Sequence, residues 1–195
     1  MTDDRERWAL ILGASSGMGQ ATALALAANG YRIAGIHLDF RAAIAHVEEV
    51  KAEIVALGSE ALYMNMNAAD DEKRHAALAA LGERFDRSRA VGLHPYVRVV
   101  MHSLAFGSLV PFLAEDPKAG VDRKKMEMTQ DVMANSLVYW VQDLWRGGFL
   151  EQGRGDGDAR PDAVRRGARA VPGEFHRELA DMGFERRLRR RHDAV

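Results

Sequence analysis

The chain of 195 residues contains no cysteine. That excludes disulfides and any thiolate-bound metal, and it fits a reducing compartment. Proline is scarce, at five residues, so long stretches are free to form regular structure. No apolar run approaches the roughly 18 residues that a membrane span needs. "WALIL" is too short for the apolar core of a secretion signal, and the start before it, "MTDDRER", is acidic where such signals are basic. The expectation is a cytoplasmic protein with no membrane partner. Histidine occurs seven times but never at H-E-x-x-H or similar ligand spacing, so no metal site is expected. A net charge of -1 exerts no general pull toward nucleic acid. Lysine is missing altogether after Lys125, whereas 11 of the 22 arginines fall in residues 154–195.

What is present, up to about residue 153, is alternation. "WALILG" (8–13) is a continuous apolar run closed by glycine, the pattern of a strand buried on both faces. The stretch after it, "SSGMGQATALALAANG", reads as a helix that stops at Gly30. "YRIAGIHLD" (31–39) is a second strand. Residues 41–58 form a helix with Ile44, Val47, Val50, Ile54 and Leu57 on one stripe. A third strand covers 60–67, and a third helix 70–85 carries acids in its first turn, where the helix dipole favours them. "VRVVMHSLAFG" (97–107) is a fourth strand and its exit, and a long loop leads to a helix near 127–146. Strands and helices in this order predict an α/β fold: a Rossmann-type doubly wound parallel sheet with helices on both faces, incomplete after the fourth strand and its helix. In the last helix Met133, Leu137, Tyr139, Trp140, Leu144 and Trp145 signal first a core and second an oligomer interface.

"LGASSGMG" sets Gly13, Gly17 and Gly19 between a buried strand and a helix start. The first glycine permits a tight turn, and the later ones let backbone and helix approach closely. A pyrophosphate can then rest on free amides at the positive end of the helix. Gly13, Ser15, Ser16, Gly17, Met18 and Gly19 are therefore candidate dinucleotide contacts, with the two serines adding hydroxyl donors. An acid about 20 residues beyond such glycines holds ribose hydroxyls and favours NAD. Asp39 stands 20 beyond Gly19, on the strand face of His37, while Arg41 can instead neutralise the 2′-phosphate of NADP. The choice between NADH and NADPH stays open.

"ILGASSGMGQATALALAANGYRIAG" resembles the opening of the short-chain dehydrogenase/reductase family, and the resemblance spans about residues 7–153. "MHSLAFG" replaces the Asn-Asn-Ala-Gly turn common in that family and is similar to the sequence of enoyl-acyl-carrier-protein reductases there. The resemblance implies that His102, Ser103, Leu104 and Ala105 line the nicotinamide side of the cofactor, and that Asn67 receives the adenine. It also implies that Asn135, seven residues before Gln142, binds through its main chain a water feeding a proton relay. The implied activity is reduction of an unsaturated acyl thioester in fatty acid biosynthesis, on a free acyl thioester or on acyl carrier protein.

That reduction needs a tyrosine whose pKa, near 10 when unperturbed, is lowered by a lysine. In the family they sit as Tyr-x3-Lys or Tyr-x6-Lys. Four residues beyond Tyr31, Tyr63, Tyr96 and Tyr139 stand Gly35, Asn67, Val100 and Asp143, and seven beyond stand Leu38, Asp70, Ser103 and Arg146. The dyad is absent. Residues 154–195 contain no isoleucine and carry 11 arginines against 8 acids, a net of +3. Two domains are expected: an NAD(P)-binding Rossmann domain, 1–153, and an irregular or out-of-frame arginine-rich tail, 154–195. A reading frame lost near Gly153 of a GC-rich gene accounts for that composition, and a divergent tail is the alternative. Without a fifth strand, the edge of the fourth strand and the aromatic helix above it are expected to promote homo-oligomers or aggregation. Three functions remain: an NAD(P)H-dependent enoyl-thioester reductase, an inert dinucleotide-binding fragment, and a protein that binds an acidic partner through its basic tail.

Overall fold

The computed structural model describes residues 4–150. The stretch 154–195, with every expectation attached to it, lies outside the described residues. Four parallel strands form one sheet in the order β3-β2-β1-β4: β1 Arg5–Leu12, β2 Arg32–His37, β3 Ala61–Asn65 and β4 His94–His102. Central β1 pairs Trp8–Leu12 with Arg32–Ile36 on one side and with β4 on the other. Its side chains alternate between two cores, as strand geometry requires. Trp8, Leu10 and Leu12 face the helices α3 (Asp71–Ala90) and α5 (Ser136–Arg146), meeting Leu81, Phe85, Trp140 and Leu144. Ala9 and Ile11 face α1 (Gly17–Ala28) and α2 (Ile44–Ala56), meeting Ala23, Leu26, Val50 and Ile54. The doubly wound α/β architecture follows from the chain's alternation of apolar strands and amphipathic helices.

Several boundaries move from their expected places. The first strand starts at Arg5 instead of residue 8, and Glu6 within it is only 6% exposed. Its carboxylate accepts from Trp8 Nε1 (2.7 Å) and Ser88 Oγ (2.9 Å) and pairs with Arg32 Nη2 (2.9 Å). Ser88 lies beyond the predicted end of the third helix, which continues to Ala90 and so brings that hydroxyl to β1. Leu57, predicted on the buried stripe of α2, is its C-cap and 44% exposed, since the helix turns off there into Gly58 at φ 79°. The fourth strand begins at His94, not 97, with Pro95 near its start, where a missing amide hydrogen is tolerated. It ends at His102, so 103–107 is irregular. Its register shifts after Trp8↔Val97, where Ala9 pairs with Val99. The extra residue, Arg98, is a bulge that puts Val97 and Val100 in one core and Val99 and Met101 in the other.

The last helical stretch begins four residues earlier than expected, at Arg123, because Asp122 caps it by accepting from Lys125 N (2.8 Å). It runs as α4 (Arg123–Gln130), a π-helical turn (Asp131–Asn135) and α5. Of its apolar residues Trp140 and Leu144 are buried, and Trp140 Nε1 donates to Ala68 O (2.8 Å). Met133, Leu137 and Trp145 stay exposed. The chain then returns to the sheet. Val97 N donates to Phe149 O (2.7 Å), Val97 bridges Leu150 in parallel, and the Phe149 ring meets Phe85 at 5.6 Å. Leu150 thus bridges β4 at Val97. The expectation of a missing fifth strand falls on residues beyond 150, outside the described residues. No helix among the described residues is long and apolar enough to cross a membrane.

Candidate functional site

The loops that follow the strands meet at the carboxyl end of the sheet, where open α/β sheets bind ligands. Backbone hydrogen bonds hold them together: Gly13 N and Ala14 N donate to Ile36 O, Ser103 N to Leu12 O, and Met66 N to His37 O. Gly13, at φ 88°, occupies the left-handed region that a side chain disfavours. A Cβ there would also collide with the carbonyl of Ser103. The glycine is what lets the exit of β4 lie against the exit of β1, with Leu104 packed on the same spot. Gly19 serves the next contact, since its Cβ would overlap the Gly13 carbonyl and push α1 off the turn.

The first turn of α1 is left without a cap. Ser16 is its N-cap in extended conformation, makes no side-chain cap bond, and no acid stands in that turn. By contrast α3 and α4 are closed by Asp70, accepting from Lys73 N, and by Asp122. Gln20 N bonds Ser16 O, but the amides of Gly17, Met18 and Gly19 have no acceptor among the described residues. Ser15 is buried beside them, whereas Ser16 and Met18 are exposed. Free amides at the positive end of a helix, with room made by glycines, form a receptacle for an anion. Behind the turn Tyr63 fills the space over Gly35, with its hydroxyl 3.4 Å from Ala14 O. Burial pushes its phenol pKa far up.

At the end of β2, His37 is 5% exposed and its Nδ1 lies 2.8 Å from Asp39 Oδ2. Asn65 bonds the Asp39 main chain twice, accepting from its N (3.1 Å) and donating to its O (2.9 Å). Arg41 opens a 3-10 turn (Arg41–Ala43) and points to solvent. Asn67 folds its side chain onto the following loop, accepting from Ala69 N (3.0 Å). The turn chemistry of asparagine explains that contact.

Beyond β4, His102 Nε2 lies 3.0 Å from Ser136 Oγ and 3.2 Å from Val132 O, so the imidazole is tied to the π turn. Ser136 Oγ itself donates to Val132 O (2.8 Å). Further along, Phe106 N meets Met133 Sδ (3.2 Å) and Ser108 N donates to Thr129 Oγ1 (3.2 Å), which fastens the loop to α4 and the π turn. Asn135 sits at the end of that turn, its Nδ2 3.3 Å from Asp131 Oδ1. The fold therefore brings Ser103 and Leu104 to Gly13, while Ala105 faces solvent and Asn135 engages the helix. Sequence reasoning passed over Asn65 and Ser136. Asn65, a polar residue ending an apolar strand, was the readable signal of the two.

A separate polar cleft of about 490 Å³ lies between the start of α3 and α5, lined by Asp70, Asp71, Arg74, Asp131, Tyr139 and Asp143 among others. None of the predicted cofactor residues lines it. Asp143 is half-buried there, which disfavours its charge. Hydrogen bonds from Arg74 (2.8 Å) and Arg146 (3.0 Å) more than offset this and hold its carboxyl below the usual range. Among the described residues no three His, Asp or Glu side chains gather as a metal site.

Comparison with known proteins agrees with this geometry. Residues 7–91 match the family model described as short chain dehydrogenase. A 3-oxoacyl-[acyl-carrier-protein] reductase of Synechocystis sp. is 35% identical over 79 residues, 40% of this chain and 31% of that protein. Among solved structures, the 3-oxoacyl-[acyl-carrier protein] reductase from Brucella melitensis in complex with NAD superposes with a TM-score of 0.57 at 19% identity. That match covers 76% of this chain and 52% of the other. L-sorbose reductase from Gluconobacter frateurii, complexed with NADPH and L-sorbose, gives 0.58 at 18% identity, covering 73% and 48%. The chain thus spans about a third of the curated relative and about half of these solved chains. At such identities the structures speak for the fold alone, and the sequence matches are confined to part of the chain. Residues 7–91, which contain the glycine turn, are similar to the short-chain dehydrogenase/reductase family.

Proposed function

We propose that residues 1–153 form the dinucleotide-binding unit of a nicotinamide-dependent reductase. The observation that carries this reading is the uncapped start of α1, where the amides of Gly17, Met18 and Gly19 stand without an acceptor beside two positive-φ glycines. Room for a pyrophosphate is supported by the glycines: a Cβ at Gly13 or Gly19 would displace the backbone walls of the cradle, and Gly17 opens on empty space. Ser15 and Ser16 would add hydroxyl donors, with Met18 contributing its amide. His37, Asp39 and Arg41 would face the adenosine ribose, Asn67 the adenine, and His102 to Ala105 the nicotinamide side. When bound, the dinucleotide supplies a hydride. This chain's residues would hold and orient it.

The substrate class we assign is an acyl thioester, free or on acyl carrier protein. "MHSLAFG" supports an unsaturated, enoyl substrate, whereas the names of the relatives from Synechocystis sp. and Brucella melitensis support a 3-oxoacyl one. Neither Tyr-x3-Lys nor Tyr-x6-Lys occurs in the sequence, so the chain is expected to bind cofactor without turnover. Asn135 would take its place in a proton relay only alongside such a dyad. The arginine-rich stretch 154–195 is assigned as a separate segment.

Titration of the full chain with NADH and NADPH, read by energy transfer from tryptophan to the reduced nicotinamide, tests the reading. Saturable binding of at least one is expected, with no loss of reduced nicotinamide when crotonyl or acetoacetyl thioester is added. Folded protein that binds neither at millimolar concentration would end it.

A further inference from the structure

The end of β2 holds an arrangement that dinucleotide binding by itself does not require. Asp39 is fixed from two directions. His37, buried in the sheet, reaches its carboxylate at 2.8 Å, and Asn65 on β3 bonds both its main-chain N and O at 3.1 and 2.9 Å. An ionised carboxylate accepts hydrogen bonds only, so the imidazole Nδ1 carries the hydrogen that joins them. His37 is itself anchored. Its own carbonyl accepts from Met66 N (2.7 Å), and its ring lies 6.0 Å from that of Tyr63. A carboxylate on a flexible turn would swing away from an incoming anion at small cost, but this one is held in place. Arg41, the nearby cation that could compensate a second phosphate, points to solvent and has no partner among the described residues.

We infer that His37 and Asn65 are positioning residues that act through Asp39 to make the site discriminate against a 2′-phosphate. The inference rests on the dinucleotide reading above. Its physical basis is that rejection requires a negative charge unable to relax. A like charge held at contact distance opposes the phosphate, while a free one turns aside and lets Arg41 approach. The same three hydrogen bonds hold Asp39 ready to accept from ribose hydroxyls, so they favour NADH as well as disfavouring NADPH.

The test is the ratio of NADPH to NADH dissociation constants for the full chain, measured by tryptophan-to-nicotinamide energy transfer. The intact protein is expected to bind NADH at least about tenfold more tightly than NADPH. His37→Leu fills a similar volume but removes the donor, and should narrow the ratio to within about threefold. His37→Asn places an amide N–H near the position of Nδ1 and should restore most of it, which a role in packing alone would not do. Asn65 is exposed, so Asn65→Ala leaves the core intact and should narrow the ratio about threefold on its own. A ratio near one or favouring NADPH in the intact protein overturns the inference while leaving the dinucleotide reading standing. So does a ratio unmoved by Asn65→Ala. Binding of neither dinucleotide overturns both.

Discussion

Replacing Glu6 by glutamine isolates the buried ionic contact that fastens the first strand. The carboxylate sits at 6% exposure between Trp8 Nε1, Ser88 Oγ and Arg32 Nη2, all within 2.9 Å, with Arg84 at 3.7 Å. Arg84 in turn holds Glu60 in a two-bond fork of 2.5 and 2.6 Å, so strands and α3 are joined through one cluster. Glutamine keeps the volume and one acceptor oxygen but aims an NH2 group at donors. A hydrogen bond to a charged group contributes about 1.5–3 kcal/mol, and two of them are lost or reversed. Dehydrating a carboxylate is itself unfavourable, and Arg32 remains partly in water, so part of that loss is recovered. The net destabilisation should be about 2–3 kcal/mol, near a hundredfold in the folding equilibrium. Urea unfolding followed by far-ultraviolet circular dichroism measures it, with Glu48→Gln as control. Glu48 pairs with Lys51 at 2.8 Å on the surface of α2 and should cost less than about 0.5 kcal/mol. If both variants shift the midpoint equally at unchanged slope, the cluster does not hold the sheet as described.

Gly19→Ala has no backbone strain to relieve, since that residue is helical, yet its Cβ would overlap the Gly13 carbonyl. It should cost about 1–3 kcal/mol in urea and weaken dinucleotide binding by more than the loss of fold explains. Asp143 has a carboxyl held below its unfolded value of about 3.9, so it stabilises the fold above that pH. This contribution disappears as acid takes the pH down through the lower folded value. Asp143→Asn should flatten the acid limb of a stability–pH curve and leave the limb above pH 6 parallel to the parent. In an alkaline absorbance titration, the buried phenol of Tyr63 should remain protonated after exposed phenols ionise. Tyr63→Phe should remove only that last step. Sedimentation should detect self-association through the exposed side of α5, and Val141→Glu should weaken it without lowering the melting temperature.

The parallel sheet was legible because each buried strand is a short apolar run and each intervening helix has its own stop. The glycine turn was legible for a stricter reason: Gly13 and Gly19 stand where backbone touches backbone, and no other residue fits. The ends of elements were harder. Pro95 reads as a breaker, yet near the start of β4 its missing hydrogen is harmless. The "RSRA" that completes α3 looks like a solvated end, but Ser88 there is buried against Glu6. Glu6 itself reads as part of a charged amino-terminal arm, because its partners Arg32, Arg84 and Ser88 lie 26 to 82 residues away. The bulge at Arg98 has no sequence signature, since "VRVVM" suits either phase. Around Asp39 the residue itself was readable from its spacing. The bonds that fix it come from a neighbouring strand and needed coordinates.

The π turn between α4 and α5 has a consequence for length. A π turn takes up one residue more than an α turn, so the segments on either side keep their faces despite the added residue. Loss of exposed Ala134 by deletion should therefore leave Trp140 and Leu144 still pointed at the sheet, with a continuous α-helix in place of the wider turn. The carbonyl of Val132, which lies 3.2 Å from His102 Nε2 and accepts from Ser136 Oγ, would shift with the turn, and the imidazole of His102 should lose that anchor.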